Sequence, residues 1–267
     1  MNAEAFAGAK SMQFDGGQPF DWGRTAADYA AFRDLYPPRF YQVINDCGIG
    51  GSGQQVLDLG TGTGVLPRHM GDRGAHWMGV DISPQQTAQA RQLSRGLHAE
   101  YVTSAAEDLS LAAGSLDAVT AAQCFFYFDH VRLAPKLKEW LRPGGRLLIT
   151  YLSWLPAEDP VAAESEALVL KFNPFWSGGG EIFRPVDVPP QYEAGFRLIS
   201  HGEERWRLPF TRQSWHGRMR ACRGTGASLP PEALRLWEEE HTGLLGRIAP
   251  ERFEVLHCFA YALLERP

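Results

Sequence analysis

The sequence predicts an α/β protein built on a doubly wound, mostly parallel sheet of seven strands. Two observations carry that prediction. Val56-Leu57-Asp58-Leu59 runs straight into Gly60, Gly62 and Gly64, which reads as a short buried strand closed by a tight turn. From there to about residue 152, short apolar runs alternate with stretches of helical length, the rhythm of strand, crossover helix and strand. In open sheets of this kind ligands bind beyond the carboxyl ends of the strands, so the glycine turn is expected to floor a site.

Composition narrows the classes. A chain of 267 residues, 44% hydrophobic and 21% charged, suits one large domain or one domain with a substantial insertion. A net charge of −5 argues against a protein that grips long nucleic acid by its backbone. The cysteines at 47, 124, 222 and 258 show no C-x-x-C pair and no metal-ligand spacing, so no metal is expected, and a reducing cytoplasm fits better than a disulfide scaffold. The N-terminus lacks the apolar segment of a signal peptide, and no run approaches the ~18 apolar residues of a membrane helix.

Residues 1–20 are mixed and aperiodic and read as a flexible or loose cover. Thr25 and Asp28 mark a helix start, with the threonine as cap; Tyr29 and Arg33 then share a face. Pro37-Pro38 breaks that helix, and a second runs from about Arg39 to Asp46. After the glycine turn, Val65 to about Asp72 reads as the first crossover helix. His76 to Asp81 is the second strand, and Ser83-Pro84 opens a helix with serine as cap and proline in the first turn. Glu100 to Thr103 is the third strand and Ser115 to Ala122 the fourth. His130 to Leu141 is a helix, Arg142-Pro143-Gly144-Gly145 a turn, and Arg146 to Leu152 the fifth strand.

Between Ser153 and about Pro190 the rhythm stops, in a segment holding Trp154, Trp176 and Ser177-Gly178-Gly179-Gly180. It reads either as a substrate lid or as ordinary packing of an inserted helix. Gln191 to Phe196 ends a helix, Arg197 to Leu208 is the sixth strand, and Phe253 to Leu264 closes the sheet after a helix from Pro230 to Ile248. On the helix beginning near Thr211, His216, Arg220 and Arg223 share one face and Trp215, Met219 and Cys222 the next. The basic face meets either an anionic substrate or solvent. The histidines from 130 onward show no metal spacing.

The chemistry lies at the strand ends. Asp58 stands two residues before Gly60, a poor neighbour for a pyrophosphate but a good one for an amino group. Asp81, seventeen residues beyond Gly64, is placed to accept both hydroxyls of a ribose. The pattern Asp58-x-Gly60-x-Gly62-x-Gly64, with Thr61 in the turn, resembles motif I of the class I S-adenosylmethionine (SAM)-dependent methyltransferases. Tyr29, Arg33, Tyr36 and Pro37 resemble the front of the small-molecule members related to trans-aconitate and quinone-pathway methyltransferases (the methyltransferase domain 11 group). Asp34 stands where that group often has proline. Ser104 to Leu109 is similar to its adenine loop, with Ala105 in place of the usual acid, and Leu141 to Ile149 to its L-R-P-G-G phrase.

The resemblance implies SAM as cofactor, S-adenosylhomocysteine (SAH) as product, a class I Rossmann-like fold, and roles for particular residues. Asp58 meets the methionine amino group, Asp81 the ribose, Ile82 one adenine face, Ala106 and Glu107 the adenine edge. Gln123, Tyr29 and Arg33 meet the methionine end. The substrate side is expected to draw on Phe126, Tyr127, Trp154, Trp176, Trp215 and Arg220, with Tyr29 and Tyr127 as catalytic candidates. Phe126 replaces a histidine of the group, which weakens the case for general-base catalysis from that loop. The expected layout is an N-terminal cover (1–50), a SAM-binding core (51–152), an inserted lid (153–190) and C-terminal elements completing sheet and pocket (191–267). The expected reaction is direct methyl transfer to a small molecule. Methylation of tRNA or rRNA, a non-catalytic SAM-binding role and an NAD-linked oxidoreductase are the rivals, the last disfavoured because Gly64 comes one residue early.

Overall fold

A computed structural model describes residues 14–34 and 36–267. Seven strands form one sheet in the order β3-β2-β1-β4-β5-β7-β6. They are β1 (Gln55–Leu59), β2 (His76–Asp81), β3 (Ala99–Thr103), β4 (Leu116–Ala122), β5 (Leu141–Trp154), β6 (Arg197–Thr211) and β7 (Arg252–Glu265). The pairs β1–β2, β2–β3, β1–β4 and β4–β5 run parallel. Chain order reverses between β1 and β4, the switch point at which such sheets open a crevice. The helices are α1 (Ala26–Phe32), α2 (Pro38–Asp46), α3 (Val65–Met70), α4 (Pro84–Leu93), α5 (His130–Trp140), α6 (Pro160–Phe172), α7 (Arg212–Arg220) and α8 (Pro231–Ile248).

The chain divides into two compact units. The second comprises residues 36–151, 184–203 and 260–267, and so holds β1–β4 with part of each longer strand. Its core is continuous: Leu57, Leu59, Val80, Val119 and Ala121 from the parallel strands meet Leu133, Leu137 and Trp140 of α5 and Tyr192 and Phe196. Near-unbroken apolar runs such as Val56-Leu57 and Ala118-Val119 are what a strand covered on both faces requires. The first unit gathers the described residues before position 36 with 152–183 and 204–259. There α1 packs on α7, and α6 and α7 on α8. Phe32 occupies the space a Cβ on Gly217 would need.

Several local expectations need correction. Thr25 does not cap α1 with its side chain; its hydroxyl donates to the Trp22 carbonyl at 3.0 Å, inside a 3-10 turn (Trp22–Thr25) that Asp21 caps. Arg142 to Gly145 is no separate turn. It lies within β5, where the register steps from Leu116 opposite Leu141 to Ala118 opposite Arg146. A proline and two glycines read as a loop, yet a bulge absorbs them at the start of the strand. The helix expected to end at Phe196 is only a 3-10 turn, Pro190–Tyr192. The cover also begins more firmly than its composition suggests: Asp15 is 1% exposed and pairs with Arg223 at 2.8 Å. Residues 1–13 of that cover lie outside the described residues. No helix among the described residues is long and apolar enough to cross a membrane.

Candidate cofactor site

The second unit brings two carboxylates and three left-handed glycines to the mouth of β1 and β2. Leu57 and Leu59 are locked in the core, and strand alternation leaves Asp58 on the other face. Its side chain accepts hydrogen bonds from the Thr61 and Thr120 hydroxyls, both at 2.7 Å. Burial pushes the carboxyl up to about 7, against those two donors, with the negative charge of Asp81 adding to the rise. Asp58 therefore sits near the balance point between acid and carboxylate, where a cationic group has most leverage.

Gly60, Gly62 and Gly64 have φ of +57°, +54° and +75°, a region that costs any side chain bearing a Cβ. A Cβ at Gly60 would stand 2.8 Å from the Cys124 sulfur, and one at Gly64 would collide with the Tyr101 phenol. That phenol is held by Ser94 at 2.7 Å, so it cannot easily give way. Asp81 ties the turn to β2: its Oδ2 accepts the Gly62 amide and its Oδ1 the Ser83 amide, both at 2.9 Å. Burial pushes its carboxyl up, and these two backbone donors oppose that. Each oxygen keeps a second lone pair for a ligand hydroxyl. Ile82 follows directly, half-buried.

Ala106 and Glu107 lie in a 3-10 turn (Ala106–Asp108) beyond β3, and both are buried. The Ser104 amide donates to the Asp81 carbonyl at 3.0 Å, which fixes this loop against β2. One Glu107 oxygen accepts the Asp129 amide at 2.6 Å, so the carboxylate is engaged in the protein rather than solvated. Gln123, at the end of β4, has φ +66°, an unusual state for a residue with a side chain and one that recurs at ligand sites. Its amide donates to the Thr150 carbonyl at 2.9 Å. Just beyond, Phe126 is 46% exposed. Its ring stacks on Tyr151 at 5.7 Å and lies 4.3 Å from Tyr127.

Thus Asp58, Gly60, Thr61, Gly62, Gly64, Asp81, Ile82, Ala106, Glu107, Gln123, Phe126 and Tyr127 all fall in the second unit. Tyr29, Arg33, Trp154, Trp176, Trp215 and Arg220 belong to the first. There the Arg33 guanidinium lies 4.4 Å over the Tyr29 ring and donates to the Cys222 sulfur at 3.8 Å. Trp154, Trp176 and Trp215 are buried. Trp154 donates to Glu166, and Trp215 donates to Ser165 at 2.9 Å. Trp176 fills a slot where a Cβ on Gly178 or Gly224 would strike its indole. Arg220 pairs with Asp28 at 3.0 Å and Glu238 at 2.5 Å.

Two residues were missed from sequence. Thr120, which holds Asp58, carried a signal: it is the one hydroxyl in the otherwise apolar run Val119 to Ala122. Tyr151 accepts the Phe126 amide at 3.2 Å; nothing in its own stretch singles it out.

The donor set fits SAM. A buried carboxylate at Asp58 suits an ammonium, Asp81 a ribose diol, and the Cβ-free turn the close approach of a nucleoside. The fold is the Rossmann-like fold of the class I methyltransferases. Residues 57–149 match the family model described as methyltransferase domain. An uncharacterized methyltransferase of Mycobacterium tuberculosis is 33% identical over 126 residues, 47% of this chain and 49% of that protein. A ubiquinone biosynthesis O-methyltransferase of Xanthomonas axonopodis is 31% identical over 130 residues, 46% and 53% of the two chains. The chain thus spans about half the length of the curated relatives it matches. Among solved structures, a Haemonchus contortus phosphoethanolamine N-methyltransferase, in complex with phosphomonomethylethanolamine and SAH, aligns with a TM-score of 0.55 and 19% identity. That alignment covers 100% of this chain and 60% of the other and shows likeness of fold.

Proposed function

We propose that this protein transfers the methyl group of SAM directly to a small-molecule acceptor. The observation that carries the reading is the pairing of Asp58 and Asp81 around three glycines held in left-handed backbone. Bound SAM supplies an electrophilic methyl on a sulfonium; the protein's task is to bind, align and keep the pocket dry. Alignment of two reactants in a closed site is worth several kcal/mol, on the order of 7 or more in the best cases. Asp58 holds the amino group, Asp81 the ribose, Ile82 and the Ala106-Glu107 turn the adenine, and Gln123 the methionine end. Phe126 and Tyr127 stand where an acceptor would approach, and the Tyr127 hydroxyl is our candidate for orienting it. Tyr29 and Arg33 remain candidates for the methionine end, and Tyr29 for catalysis. We take residues 153–190 as a substrate lid.

A small acceptor is supported over RNA by where the basic side chains go. Arg212 donates to the Ala249 carbonyl at 2.6 Å, Arg220 pairs with Asp28 and Glu238, and Arg223 with Asp15. Each is engaged within the protein rather than aligned for phosphates. The four cysteines are buried and none is in a disulfide among the described residues, which accords with a reducing cytoplasm. The direct test is SAH release from SAM with fractionated cell extract. Turnover is expected with the low-molecular-weight fraction. Turnover only with the RNA fraction would refute the small-molecule reading, and none with any fraction would favour a binding role.

Affinity should depend on pH. The Asp58 carboxyl, raised to about 7 in the cofactor-free protein, must ionise to hold an ammonium. SAH affinity is therefore expected to be constant above that value and to fall about tenfold per pH unit below it. Calorimetric titration at pH 8, 7 and 6 measures this; equal affinity at all three would remove Asp58 from the amino-group role.

A further inference from the structure

The helix face that reads as basic in the sequence turns inward, and at its centre two histidines meet. His216 on α7 and His241 on α8 face each other with Nδ1 atoms 3.0 Å apart. Both stack on Trp237, with ring centroids at 5.3 Å and 4.7 Å. The protons can be assigned by elimination. Ser165 on α6 donates its one hydroxyl proton to the Val161 carbonyl at 2.7 Å and accepts the Trp215 indole N–H at 2.9 Å. The His241 Nε2, 3.2 Å from the same oxygen, must therefore be the donor there. A neutral His241 protonated at Nε2 has a bare Nδ1, which accepts the Nδ1–H of His216.

This chain has room for one proton between the rings. His216 can take a second proton at its outer Nε2 without disturbing the contact. His241 can do so only if His216 moves its own proton out to Nε2, and both rings cannot be doubly protonated together, because their two Nδ1–H groups would then point at each other. We propose that the His216–His241 pair is a proton-sensitive lock inside the first unit, holding α7 against α8 near neutrality and releasing them in acid.

The surroundings favour release. The charges acting on His216 are Arg220 on α7 and Asp28 on α1; Glu238 on α8 pairs with that Arg220, and from α6 the Ser165 hydroxyl meets His241. Asp28 is positioned to stabilise a charged His216, but His241 is fully buried and its hydrogen-bonding neighbours are His216 and Ser165. Burial lowers His216, with Arg220 adding to the effect and Asp28 opposing it. Burial, with His216 beside it, lowers His241 to about 3. The sign follows: the unfolded imidazoles bind protons near pH 6.5, the folded ones do not, so this unit's stability is full above that pH and falls as pH drops toward the folded values. His257, also buried and lowered to about 3, adds to the same trend from β7 and must be separated from the pair.

The test follows imidazole ring signals by NMR, and near-ultraviolet circular dichroism, on the full chain between pH 7.5 and 4. His216→Gln and His241→Gln assign the signals. Glutamine can donate and accept as the lock requires but does not titrate. We expect the His216 signal to move first and without a dichroism change, and the His241 signal to stay neutral until both step together. In the double variant H216Q/H241Q that step should move at least one pH unit lower, whereas H257Q should leave the order of the two signals unchanged. A His241 signal that titrates above pH 6 with no dichroism change would overturn the lock. So would a double variant that opens at the wild-type pH. If the double variant does not fold, the order of the wild-type signals decides.

Discussion

Asp81→Ala is expected to weaken SAH binding by a hundredfold or more while leaving the protein folded. The carboxylate has two tasks: its oxygens accept the Gly62 and Ser83 amides at 2.9 Å and, in our reading, two ribose hydroxyls. Hydrogen bonds to a charged group are worth about 1.5–3 kcal/mol each, so losing two accounts for at least that hundredfold. The loss of the Gly62 tether also frees the turn that the ligand needs in place. Asp81→Asn separates these tasks. An amide keeps one acceptor oxygen for a backbone donor but turns two N–H groups toward the others, so it should restore little affinity. Near-wild-type binding by either variant would take Asp81 out of the site.

Gly64→Ala should cost more in stability than an ordinary surface change, about 2–4 kcal/mol. The residue has φ +75°, which alone costs an alanine roughly 1–2 kcal/mol. The rest comes from the Tyr101 phenol, which occupies the new methyl's position and is anchored to Ser94 at 2.7 Å. Urea denaturation followed by fluorescence measures the loss. Gly53→Ala is the matched control, because Gly53 has φ +80° but nothing within 4 Å of the added carbon. Similar losses in the two variants would mean that backbone strain accounts for the whole effect and that Tyr101 adds nothing.

The second unit was the more legible part of the chain. A strand that ends in Asp58 and three spaced glycines must turn there, and Asp81 at the end of the next strand follows from parallel pairing. Such features are local, or separated by a single crossover. The first unit was less legible because its determinants are partnerships between distant segments. Helical spacing correctly places His216 and Arg220 on one face, but not the residues opposite: His241 lies 25 positions away and Asp28 lies 192. The same distance hid Asp15, whose partner Arg223 is 208 residues on. A composition that reads as loose at the N-terminus therefore contains a buried ion pair. Arg142-Pro143-Gly144-Gly145 misled for the opposite reason: its local turn chemistry is real, yet the flanking pairs of β4 and β5 keep it within the strand.

Calorimetric titration of wild-type protein and Asp81→Ala with SAH, side by side at pH 8, tests the central claim most directly. The account predicts one site of micromolar affinity in the wild type and no measurable heat in the variant. Absence of SAH binding by the wild type, with NADH binding in its place, would contradict it.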